Sequence, residues 1–158
     1  MILLLAIVVL VPGLVVLSYP WHIGRLLRRR PGAGHGQENP PPAVTVIVPC
    51  RGLEENPTGN IQALLAQEFA GEGEILFCVE SSADPVVPVL VEALQGAAGA
   101  RARLVITGPA GSGLGKMHNL LGGYREASGQ RLVFLDSDVF LPDSRYLQRF
   151  IADLAECL

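Results

Sequence analysis

Four short apolar runs, the first of them rich in β-branched residues, recur from residue 43 onward, each followed by a segment of helical spacing. The runs are AVTVIVPC (43–50), EILFCVE (74–80), ARLVITG (102–108) and RLVFLD (131–136). A strand that is apolar on both of its sides has to be covered on both faces, which is the habit of parallel sheets. Between and after them, NIQALLAQEF (60–69), VVPVLVEALQG (86–96), KMHNLLGGYREA (116–127) and SRYLQRFIADLAE (144–156) read as helices. Repeated βα units predict an α/β domain with a mostly parallel sheet of about four strands and helices on both faces. Ligands bind such sheets at the C-terminal ends of the strands, so the informative loops follow Pro49, Glu80, Gly108 and Leu135. Asn60 or Thr58 is expected to cap the first helix, and Asp143, ahead of Ser144, the last.

The residues before this domain are of another kind. From Ile2 to Leu17 no residue is charged, and the apolar character runs on, diluted, through Ile23. A helix of about 20 such residues spans a hydrocarbon core of about 30 Å. Tyr19 and Trp21 then fall where aromatic rings favour the interface, and Arg25, Arg28, Arg29 and Arg30 follow. A cleaved signal would carry its charge before the apolar run, not after it. The expectation is an uncleaved transmembrane anchor over 1–24, a basic and Pro/Gly-rich linker over 25–42, and the α/β domain over 43–158 on the cytoplasmic side. The net charge of −3 gives no reason to expect nucleic acid as a partner. Cys50, Cys78 and Cys157 are widely spaced and odd in number, which favours neither a disulfide framework nor a zinc site.

Four loops carry candidate chemistry. GPAGSGLGKMHN (108–119) has the look of a phosphate loop. A Walker A motif, however, would need glycine where Ala110 stands and a hydroxyl where Met117 stands. What remains is a glycine-rich loop ending in Lys116 at a helix start, a place that suits an anion. In LVFLDSDVF, Asp136 and Asp138 flank Ser137 directly after a buried strand. Paired hard oxygen ligands at a strand end suit Mg²⁺ or Mn²⁺, which in turn bridge phosphate oxygens. Asp84 follows the second strand, where a carboxylate can accept from a ribose hydroxyl or a base N–H, or can simply make a turn before proline; Glu80 is the other acid of that loop. Arg51, after the first strand, either faces a phosphate or lies on the surface.

In this order and spacing, VTVIVPCRG, EILFCVESSADP, GLGKMHNLLGGY and LVFLDSD resemble the nucleotide-sugar-binding half of an inverting GT-A glycosyltransferase. The resemblance is to family 2 in the broad sense and, more closely, to its ceramide glucosyltransferase branch, family 21. It covers about residues 42–156. It implies that Asp84 contacts the nucleoside of the donor, that Lys116 opens a helix near the nucleotide, and that Asp136 and Asp138 form the metal and diphosphate motif, with Asp138 at the more variable position. It further implies transfer of a hexose such as glucose from UDP-glucose to a membrane lipid such as ceramide, with Mg²⁺ or Mn²⁺. The general base and a Gln/Arg-x-x-Arg-Trp motif belong to an acceptor half expected beyond Leu158, so this chain reads as a donor-binding fragment. Two other readings compete: a P-loop NTPase with degenerate motifs, and a non-catalytic nucleotide-binding module tethered to a membrane.

Overall fold

The computed structural model describes residues 40–95, 101–111 and 113–155. The predicted anchor over 1–24, and the linker up to residue 39, lie outside them. Among the described residues no helix is long and apolar enough to cross a membrane. Among the described residues eight elements alternate: β1 (Val44–Pro49), α1 (Pro57–Leu65), β2 (Gly73–Val79), α2 (Val87–Gln95), β3 (Ala102–Ile106), α3 (Gly115–Glu126), β4 (Arg131–Phe134) and α4 (Tyr146–Ala155).

All strand pairs are parallel and the strand order is β3-β2-β1-β4. The chain therefore steps from β1 to β2 to β3 in one direction, then returns across the sheet to place β4 on the far side of β1. Right-handed crossovers that reverse direction deposit their helices on opposite faces. The packing follows. Val44, Val46 and Val48 of β1 and Ile75, Phe77 and Val79 of β2 share one core with Ile61 and Leu64 of α1, Leu90 of α2 and Leu147 of α4. Ile47, Leu76, Cys78 and Val105 point the other way, toward Leu120 of α3. The alternation of side chains along a strand thus feeds two cores, and the expected helices on both faces are present.

Helix α3 lies close against its face because of Gly122 and Gly123. A β-carbon at Gly123 would stand 2.5 Å from Ile47 Cγ2 and 2.7 Å from Cys78 Sγ, and one at Gly122 would collide with the Thr107 side chain. Any larger residue would lift the helix off the sheet.

Two helix starts differ in kind. Helix α1 begins earlier than its apolar spacing suggests: Pro57 occupies the first turn, and Asn56 is the N-cap in a left-handed conformation (φ 54°) without a side-chain cap bond. Thr58 and Asn60 therefore lie inside the helix and cap nothing. Proline suits that first turn because its missing N–H has no helical partner there. Asp143 does serve the start of the last helix. Its Oδ1 accepts from the Arg145 N–H at 2.9 Å, and its carboxylate also pairs with Arg149 at 2.6 Å. Hydrogen bonds from the Arg149 guanidinium and the Arg145 N–H hold the Asp143 carboxyl below its ordinary pKa of 3.8.

Candidate functional site

The reversal of winding falls between β1 and β4. A crevice opens there beyond the C-terminal ends of the two strands. In this chain it is a cleft of about 230 Å³, lined by Pro49, Cys50, Arg51 and Glu54 after β1, by Lys116 and Asn119 of α3, and by Asp136, Ser137 and Asp138 after β4.

Of the residues singled out from sequence, Lys116, Asp136 and Asp138 meet in this cleft, with Arg51 beside them. Lys116 Nζ lies 2.6 Å from Asp136 Oδ1, and both side chains are about half exposed. An ion pair in that setting contributes little to stability, about 0–1 kcal/mol. Asp138 stands exposed on the same lip. The turn that carries the acids is fastened at its base: Leu135 N–H extends the ladder to Ile47 O at 3.1 Å, and Val139 N–H returns to Asp136 O at 3.3 Å. The carboxylates are left facing water.

Asp84 sits at the same sheet edge but does not line the cleft. Its Oδ1 accepts from the Gly52 N–H at 2.8 Å and from the Val86 N–H at 3.0 Å. The first bond ties the β2–α2 loop to the β1–α1 loop at a left-handed glycine (φ 66°). The second closes a local turn over Pro85. Glu80 does similar work: its Oε1 accepts from the Ala110 N–H at 2.9 Å and so holds the glycine-rich loop.

The lysine itself is positioned by buried groups. Asn119, one turn further along α3, is 3 % exposed. It donates to Cys50 O at 3.2 Å and accepts from the Thr107 hydroxyl at 2.6 Å, so it joins the ends of β1 and β3 to the helix. His118 Nε2 lies 3.1 Å from both Thr107 O and Gly108 O. Carbonyls only accept, so this nitrogen carries the proton. Cys50, though at the cleft, is no nucleophile, since burial foremost pushes its thiol up to about 12.

Sequence reasoning passed over Glu54, Asn119 and His118. Asn119 carried a weak signal: it stands three residues after Lys116, on the helix side that turns toward the sheet.

The donor set fits a hard divalent cation. Among the described residues no group of three or more His, Cys, Asp or Glu side chains gathers closely enough to hold a metal alone. The cleft offers Asp136 and Asp138, with waters and a ligand's phosphate oxygens to complete the shell. One or two carboxylates plus substrate phosphates is the usual arrangement for Mg²⁺.

A solved structure of similar fold is the mannosyltransferase PcManGT from Pyrobaculum calidifontis in complex with GDP-Man and Mn²⁺. It superposes with a TM-score of 0.61 at 22 % identity, over 90 % of this chain and 39 % of that one. This chain therefore spans about two fifths of the length of that chain, and the likeness is one of fold. Residues 3–157 match the model of Glycosyl transferase family 21. With nearly its whole length inside that match, the chain belongs to glycosyl transferase family 21.

Proposed function

We propose that this chain forms the donor-binding part of a membrane-anchored glycosyltransferase that moves a hexose, glucose from UDP-glucose, to a lipid acceptor such as ceramide. The observation that carries the proposal is the meeting of Lys116, Asp136 and Asp138 in one cleft at the point where the sheet's winding reverses. Open α/β sheets place their ligands there.

The roles follow from the chemistry of the groups. Asp136 and Asp138 hold the divalent cation, Mg²⁺ or Mn²⁺, through hard oxygens. That cation, when bound, neutralises charge on the departing nucleoside diphosphate. Lys116 Nζ, already within reach of Asp136, adds a positive charge beside the same phosphates. Arg51 and Glu80 both approach the start of α3: a β-carbon at Gly115 would lie 3.6 Å from Arg51 Nη1 and 3.5 Å from Glu80 Oε2. Arg51, which lines the cleft, is thus a second cation at the diphosphate end. Asp84 recognises the nucleoside from the neighbouring loop.

Support for glycosyl transfer comes from the family match and from the glycosyltransferase of similar fold, which binds GDP-Man and Mn²⁺. The lipid acceptor rests on the family resemblance together with the uncharged N-terminal run, and the cytoplasmic placement on the arginines that follow that run. A general base to deprotonate the acceptor hydroxyl completes the inverting reaction and is assigned to an acceptor half. Calorimetric titration of UDP into the full chain in detergent tests the donor site. Binding that appears with Mn²⁺ and fades with EDTA is expected. Equal affinity in both, or no heat in either, overturns the reading.

A further inference from the structure

Asn60 is an anomaly of helix α1. It faces inward beside Ile61 and Leu64 and is 8 % exposed, yet it is an amide in an otherwise apolar position. A buried amide costs free energy unless its donors and acceptor are used. Its Nδ2 lies 3.5 Å from Glu55 O and 3.3 Å from Ser137 O. The first carbonyl belongs to the loop after β1, the second to the middle of the acidic turn after β4. The amide group has two hydrogens, one for each carbonyl. The opposite orientation would set an oxygen against two oxygens, so the assignment of Nδ2 follows from chemistry.

Both loops line the cleft, the first through Glu54 and the second through Ser137. We propose that Asn60 is a positioning residue: its side-chain amide clamps the two loops together and, through the Ser137 carbonyl, fixes the aim of Asp136 and Asp138. Ser137 lies between the two acids in sequence, so rotation of its peptide would swing one carboxylate relative to the other. The ladder bond at Leu135 and the turn bond at Val139 anchor the turn at its ends; Asn60 anchors its centre. The inference rests on the reading of this cleft as a metal and nucleotide site.

The test uses the full chain in detergent, with UDP titrated in Mn²⁺ and, separately, in EDTA. Asn60→Leu fills the same space without donors. It is expected to weaken Mn²⁺-dependent UDP binding about tenfold, as loss of an outer-shell partner does. Affinity in EDTA should stay within about twofold, because only the aim of the acids has changed. Asn60→Asp, which turns an acceptor toward two carbonyls, is expected to lose more. An Asn60→Leu chain with unaltered Mn²⁺-dependent affinity overturns the clamp, and so does equal weakening in Mn²⁺ and EDTA. Absence of any Mn²⁺ dependence in the unaltered chain overturns instead the reading of the cleft. A second measurement needs no variant: the Asn60 side-chain amide protons, followed by nitrogen-15 NMR, are expected to exchange slowly with water. Exchange at the rate of an exposed amide overturns the clamp.

Discussion

Two aspartate-bearing loops leave the same edge of the sheet and do opposite things. Asp84, after β2, has an oxygen committed to two backbone N–H groups, one of them from the neighbouring loop. Asp136 and Asp138, after β4, receive no backbone donor from the described residues; their loop is held through its own backbone and by Asn60. The contrast separates two uses of a carboxylate. One satisfies the fold's own donors with a single oxygen, and only its second oxygen is left for the proposed nucleoside contact. The other is presented to solvent by a backbone that is rigid without it, so its charge stays available to a ligand. Strand order decides which is which. The cleft opens between β1 and β4, and β2 lies on the other side of β1.

The largest effect that can break this comparison is expected at Asp136. Asp136→Asn removes the charge that meets Lys116 and, on the proposed reading, the cation. Mn²⁺-dependent UDP binding should fall by about 100-fold or more, equivalent to about 2.7 kcal/mol. Thermal unfolding should barely move, since the exposed pair with Lys116 contributes about 0–1 kcal/mol. A large drop in melting temperature with binding retained would place Asp136 in the fold and erase the distinction between the two loops.

Asp84 should behave the other way. Asp84→Ala strands the Gly52 and Val86 N–H groups, which costs about 1–3 kcal/mol and lowers the melting temperature by several degrees. Asp84→Asn keeps an oxygen acceptor in the same place and should restore most of that stability. The pair of variants also isolates the nucleoside contact proposed for Asp84. If its second oxygen meets the ribose or base, Asp84→Asn weakens UDP binding in a fully stable chain. If it does not, the asparagine variant binds as the aspartate does, and Asp84 is a strap between loops and nothing more.

Most of the fold could be read from the chain because buried parallel strands advertise themselves. Val44–Pro49 and Gly73–Val79 are almost continuous apolar runs, and the observed ends fall within two residues of the runs read from sequence. The candidate site was legible only as separate loops. Nothing in the residues reveals that the chain reverses direction after β3, so nothing distinguished the loop of Asp84 from the loops that share the cleft. Asn60 shows a second limit. An asparagine ahead of an apolar periodic stretch looks like a helix cap. Pro57, three residues earlier, was the better marker of the helix start. Once the helix begins there, Asn60 falls on its buried side, and its partner is 77 residues away. A contact that distant leaves no local pattern.

The smallest expected effect is at Lys116, and it sharpens the comparison by its sign. On the proposed reading, Lys116 Nζ and the cation would compete for Asp136 Oδ1, because the ammonium already lies 2.6 Å from it. Lysine would have to leave this oxygen for a cation to take it, which would free the ammonium for a phosphate. Lys116→Met removes the competitor and the phosphate contact together. Mn²⁺ titrated alone should therefore bind several-fold more tightly, while UDP should bind the Mn²⁺-loaded chain several-fold less tightly, each change being worth about 1 kcal/mol. Unfolding should be almost unaffected. Opposite signs follow only if one lysine serves the acid first and the nucleotide second. Weakening of both titrations would mean that Lys116 merely shapes the cleft, and strengthening of both would mean that it repels the cation without touching phosphate. Either result would leave the acidic turn as the working part of this edge and return Lys116 to the role of a surface charge at a helix start.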